Sequence, residues 1–135
     1  MGGPVINADT NVLIRAALKD DPVQGELAAD VLRQSDQVAV TIPTLCEFAW
    51  VLRRGYKKTA VETATAIRRL IAAPSIVIDK PAAEAGLAVL DLGGDFADGA
   101  IACLGEWLGA SELVTFDKQA VKLLAATGHT AKLLG

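Results

Sequence analysis

Four carboxylates in this 135-residue chain stand among apolar neighbours, where an acid is costly to place. Asp9 follows the apolar start of VINADTNVLI, and Glu47 interrupts PTLCEFAWVL. Asp98 precedes Ile101 and Ala102 in DFADGAIACL, and Asp117 follows the apolar run of ELVTFDKQ. No Lys or Arg lies one helical turn from Glu47 or Asp98, which leaves a bound cation as the remaining partner. All-oxygen ligation suits Mg²⁺ or Mn²⁺ rather than Zn²⁺, which favours His and Cys. Four acids without a compensating base carry enough charge for one or two divalent ions. Two such ions about 3.5–4 Å apart can clamp the attacking and leaving oxygens of a phosphodiester. Each acid also has a plainer account. Asp9 and Asp117 could cap the helices that follow them, Asp95 the helix starting at Phe96, and Glu47 and Asp98 could lie on exposed helix edges. The joint pattern, two acids at strand ends and two in apolar helices, favours a site.

The elements that would position these acids alternate along the chain. Val5–Ala8, Gln37–Ile42, Ser75–Ile78, Leu113–Phe116 and Thr130–Leu134 read as strands. Helices are expected over Thr10–Lys19, Pro22–Gln34, Pro43–Tyr56, Thr59–Ala73, Pro81–Leu92, Phe96–Leu108 and Lys118–Ala126. This alternation predicts an α/β fold, a three-layer α/β/α sandwich with a central parallel sheet of about five strands buried on both faces. The whole chain, 1–135, is expected to form one domain. Asp9 and Asp117 both end strands, and ligands of open parallel sheets bind outside those ends. If the first and fourth strands are neighbours where strand order reverses, these two acids face each other. The following helices then bring Glu47 and Asp98 to the same rim, with Asp95 three residues before Asp98 on a similar face.

Composition excludes several classes. The chain is 52% hydrophobic with a mean hydropathy of +0.37, too apolar for disorder. Its longest stretch without a charged side chain, Gln37–Cys46, is half of what a membrane span requires. The surplus apolar surface suggests a partner. The net charge of −3 hides an asymmetry. Residues 51–80 carry seven bases against two acids, while the segments on either side each carry seven acids against three bases. A basic middle of this kind can hold a polyanion locally. Cys46 and Cys103 are far apart and read as small core residues of a protein from a reducing compartment, and no signal peptide is expected. The single His129 reads as an exposed turn residue, which excludes histidine-pair catalysis. No phosphate-cradling glycine loop supports nucleotide-cofactor chemistry.

With these residues in view, the chain resembles the PIN-domain family, and within it the VapC-type toxins of bacterial toxin–antitoxin pairs. The motifs carrying the likeness are Asp9-Thr10-Asn11-Val12-Leu13, Glu47 in the helix Leu45–Arg54, Asp95-Phe96-Ala97-Asp98 and Thr115-Phe116-Asp117, in order over nearly the whole chain. Lys19-Asp20-Asp21-Pro22-Val23-Gln24 also looks like a VapC feature. The resemblance implies a catalytic, metal-holding quartet of Asp9, Glu47, Asp98 and Asp117, with Asp95 auxiliary and Thr10, Asn11 and Thr115 supporting the acids. It implies Mg²⁺- or Mn²⁺-dependent cleavage of RNA in the cytoplasm, a homodimer, and a cognate antitoxin of the VapB kind whose C-terminal segment blocks the metal site. Arg53, Arg54, Lys57 and Lys58 would contact RNA phosphates or the antitoxin. Trp50 and Trp107 are either interface anchors or ordinary core aromatics. With 4% aromatic residues the chain has few platforms for stacked bases, so recognition is expected to rest on shape and charge. One departure is Gly99, where the family usually carries Ala, at roughly 1 kcal/mol of helix propensity. Competing readings are a PIN nuclease of RNA processing and a non-enzymatic metal-binding receiver module. A receiver fits poorly, because Lys118 directly follows Asp117 instead of ending a strand of its own.

Overall fold

In a computed structural model that describes residues 3–135, five short strands alternate with seven helices. Strand β1 (Val5–Asn7) leads into α1 (Thr10–Leu18), and α2 (Pro22–Gln34) follows after a short turn. Strand β2 (Gln37–Ala39) leads into α3 (Ile42–Trp50), which continues as a π-helical turn, Val51–Gly55. Then come α4 (Ala60–Ala72), β3 (Ile76–Val77), α5 (Lys80–Asp91), α6 (Phe96–Trp107), β4 (Leu113–Thr115), α7 (Lys118–Ala126) and β5 (Ala131–Leu133). The architecture is the α/β one that the alternation of apolar runs predicts. The QVAVTI strand is cut short because Thr41 caps α3, its Oγ1 accepting from the Thr44 amide; β2 ends at Ala39, and the Val40 amide makes the last bond to the sheet, to the Val77 carbonyl. No helix among the described residues is long and apolar enough to cross a membrane.

Every strand pairing is parallel, but the strands form two ladders rather than one. β1-β2-β3 make the larger and β4-β5 the smaller, so β1 and β4 are not hydrogen-bonded neighbours. Two apolar clusters parallel this division. The main core gathers Val38, Val40, Leu45, Phe48, Leu52, Ile67, Leu90 and Phe96, while Val89, Ala102 and Leu124 form a second beneath β4 and β5. The ladders are short, of two or three residue pairs each. Burial on both faces holds for β2 only at Val38, whereas Val5, Val77 and Val114 of β1, β3 and β4 are exposed.

Helices α5 and α6 contribute to both clusters and pack intimately on each other. Two glycines permit this. A Cβ on Gly99 would fall onto the carbonyl oxygen of Ala85 in α5, and one on Gly86 would lie 2.6 Å from the Phe96 ring. Gly99 is therefore more than a helix-propensity defect, because it lets α6 lie directly against the α5 backbone and fixes the depth of Asp98, one residue earlier. At the far end of α3, the π-helical turn is moored to the α1–α2 connection. The Tyr56 hydroxyl donates to Asp20 Oδ2 at 2.9 Å, and Arg15 donates to Asp20 Oδ1 at 3.2 Å and to Gln24 Oε1 at 2.9 Å. The Tyr56 bond and then Arg15 hold the Asp20 carboxyl below its usual range.

The α5–α6 approach predicts the outcome of one substitution. Gly99→Ala adds helix propensity but overpacks the contact with Ala85, and we expect a net loss of about 1–3 kcal/mol in urea denaturation. Unchanged or increased stability would show that α6 does not seat as described.

Candidate functional site

Three of the acids hold the first turns of helices. Asp9 Oδ1 accepts from the Thr10 amide at 2.8 Å, Asp95 Oδ1 from Ala97 at 3.0 Å, and Asp117 Oδ1 from Gln119 at 2.9 Å and Ala120 at 3.2 Å. Each helix N-terminus needs such an acceptor, since its first amides have no partner within the helix. The caps leave the Oδ2 atom of each aspartate without a hydrogen bond among the described residues. Thr115 reinforces one of them, its Oγ1 accepting from the Asp117 amide at 3.1 Å. Thr10 is buried behind Asp9, while Asn11 lies on the exposed side of α1.

Asp98 differs from the other acids. It is half-buried in the first turn of α6, and no hydrogen-bond donor reaches its carboxylate among the described residues. Desolvation, and then the negative charges of Asp95 and Asp117, push its pKa up to about 6. The structure thus brings Asp95, Asp98 and Asp117 into one electrostatic neighbourhood. Asp9 and Glu47 are exposed, the first at the end of β1 and the second on α3, and neither contributes to the shift of Asp98. Cys46, next to Glu47, is within reach of Asp95; burial and then that carboxylate push its thiol up to about 11.

These placements correct the expectation of four buried acids. Asp9, Glu47 and Asp117 are exposed, because strand ends and the outer face of α3 open to solvent, and only Asp98 is partly withdrawn from water. Other expectations shift as well. His129 is largely enclosed, its side chain 14% exposed and its Nδ1 2.9 Å from Glu106 Oε1, rather than an exposed turn residue. Cys46 and Cys103 are partly buried and pack against the main core, as small core-edge residues. Trp50 and Trp107 are not core aromatics, being 59% and 68% exposed.

The basic residues divide. Arg53 and Arg54 line an open cavity of about 210 Å³ together with Trp50, Asp95 and Gln119. Lys58 faces a different cavity with Leu52, Val61 and Glu62, and Lys57 is exposed with a left-handed backbone. Gln119 was not singled out by its sequence. Its signal was its place two residues after Asp117, in the first turn of a helix entered from a strand end.

The donor set has the chemistry of a hard-cation site: oxygen donors only, clustered negative charge, unengaged Oδ2 atoms and an unpartnered Asp98. As placed, no three His, Cys, Asp or Glu side chains among the described residues are close enough to hold a metal ion.

The charge on Asp98 has a measurable consequence for stability. Its pKa of about 6 lies above the unfolded value near 3.8, so the folded state binds this proton more tightly. The resulting penalty is absent below the unfolded value, grows as pH rises towards 6, and is complete above it. Asp98→Asn should therefore stabilise the metal-free protein by about 1 kcal/mol at pH 7.5, discounted for partial exposure, with no gain at pH 3.5. Thermal unfolding in EDTA at both pH values checks this.

No curated protein matches the chain. The PIN domain family matches it over residues 6–125, from the middle of β1 nearly to the end of α7. That match spans all five acids, and the chain belongs to the PIN domain family, whose members are in general metal-dependent nucleases.

Proposed function

We propose that this protein is a Mg²⁺- or Mn²⁺-dependent endoribonuclease, the toxin of a type II toxin–antitoxin pair, and that it blocks translation by hydrolysing RNA in the cytoplasm. The observation that carries the nuclease reading is the group Asp95, Asp98 and Asp117, which no basic side chain neutralises, beside two arginines that are in no ion pair among the described residues. The toxin reading rests on the ordered likeness of the Asp9, Glu47, Asp95–Asp98 and Thr115–Asp117 motifs to VapC-type chains.

In this reading one PIN-like domain, residues 1–135, does the work. Asp9, Glu47, Asp98 and Asp117 hold the cation, with Asp95 auxiliary. When bound, the cation lowers the pKa of a coordinated water and polarises the scissile phosphate. The chain's own residues supply the rest. The backbone caps orient Asp9, Asp95 and Asp117, leaving one oxygen of each unengaged. Thr115 steadies the approach to Asp117, and the Thr10 amide steadies Asp9; Asn11 is assigned a supporting role by the likeness to VapC-type chains alone. Asp98, with its raised proton affinity, competes weakly for a cation at low pH and well above pH 6, so activity rises across that range. Arg53 and Arg54, assisted by Lys57 and Lys58, hold RNA phosphates.

The partners are RNA, a second copy of the chain and a VapB-like antitoxin. Exposed apolar side chains support the last two: Val23, Leu27 and Val31 on α2, and Ile101, Trp107 and Leu108 on and after α6. Incubation with tRNA, rRNA and mRNA in Mg²⁺ or Mn²⁺ tests the activity. Cleavage is expected, with complete loss in EDTA and at least a hundredfold loss in Asp98→Asn with the fold intact by circular dichroism. Equal cleavage with EDTA, or none with any metal, would sink the nuclease reading. Failure of a small protein encoded beside this chain to bind and inhibit it would sink the toxin reading alone.

A further inference from the structure

The cavity beside the acids joins three chemistries on one face. Trp50 closes α3 with its indole more than half exposed, and Arg53 and Arg54 follow at helical three- and four-residue spacing on the π-helical turn. All three line the cavity that Asp95 and Gln119 also line. An exposed indole is unusual in so small a protein, because tryptophan is usually well covered. Neither guanidinium has a carboxylate within ion-pair distance among the described residues. The turn that carries them is fixed at its end, where Tyr56 donates to Asp20, so the face is held rather than loose.

The other exposed tryptophan makes the contrast. Trp107 is followed by the exposed Leu108 and preceded by Glu106, which bonds to His129. No Lys or Arg lies within four residues of it in sequence, so its surroundings suit an apolar partner and not a polyanion. Trp50 has the cations, and Asp95, which acts on Asp98, lines the same cavity.

We propose that Trp50, Arg53, Arg54 and Gln119 form a subsite for one unpaired nucleotide of single-stranded RNA next to the cleaved bond. The indole stacks on the base, the guanidiniums hold the adjoining phosphates, and the Gln119 carboxamide, both donor and acceptor, faces the base edge. Base stacking on aromatics is sequence-tolerant and carries much of single-strand affinity, whereas a duplex keeps its bases stacked on each other and gives the indole nothing to cover. The subsite thus selects loops and single strands. It rests on the ribonuclease reading and replaces the expectation that recognition uses shape and charge alone.

The test separates binding from cleavage. Binding is measured in Asp98→Asn protein in EDTA, where RNA stays intact and the acidic charge is reduced. With Trp107→Phe added, Trp50 is the chain's single tryptophan, and its fluorescence should quench saturably with an eight-nucleotide single-stranded RNA. In fluorescence anisotropy Trp50→Ala should weaken binding about tenfold or more, and Trp50→Phe should restore most of it. Trp107→Ala, on the face assigned to protein partners, should leave the affinity for this RNA unchanged. Replacing both Arg53 and Arg54 by Ala should reduce the slope of log affinity against log salt by about 1.4. Undiminished binding by Trp50→Ala, equal Trp50 dependence for duplex RNA, or loss of a dimer without loss of RNA binding would each overturn the subsite. Normal cleavage by Trp50→Ala in the otherwise unaltered protein would overturn it and leave the nuclease reading standing. Trp50-dependent binding without cleavage under any metal would do the reverse.

Discussion

Uncompensated negative charge is the constraint around which this molecule is arranged. Asp95, Asp98 and Asp117 share a neighbourhood in which, among the described residues, no basic side chain makes an ion pair with any of them. The fold relieves part of that repulsion. It places Asp95 and Asp117 at helix N-termini, where backbone amides supply partial positive charge. Asp98 has no such relief and is partly withdrawn from water, so its charge is the least satisfied of the three. The close α5–α6 contact at Gly86 and Gly99 sets how far it is withdrawn.

Much of this was legible in the sequence because local chemistry decides it. Pro22 at the start of α2 and Asp117 just before α7 gave element starts that the structure matches to the residue. Asp95 capping α6 could be read from its position before Phe96. What could not be read was tertiary. Whether Glu47 is exposed depends on which face of α3 meets the core, and an apolar helix with one acid does not say. The role of Gly99 depends on the backbone of α5, thirteen and fourteen residues away in sequence, which no local propensity reports.

The division of five strands into two ladders was hidden for a related reason. Alternating apolar runs show that strands exist and that they are parallel, since each connection carries a helix. They do not show how many residues of each run pair. Runs of four to six apolar residues became strands of two or three, because capping residues such as Thr41 and Asp117 claim the run ends for the following helix. The same caps place acids at the strand ends, so short strands and a charged rim have one cause.

The capping bonds also make the acids unequal as targets for mutation. Asp9, Asp95 and Asp117 each bind helix amides through one oxygen, so a change to an apolar residue removes a cap and costs about 1 kcal/mol. Asp98 caps nothing, and its charge is a burden on the fold. A lineage under pressure to silence this chain while still producing a folded, partner-binding protein would drift most cheaply at Asp98. Inactive but soluble descendants should accordingly carry their changes there, with the three capping aspartates outlasting it.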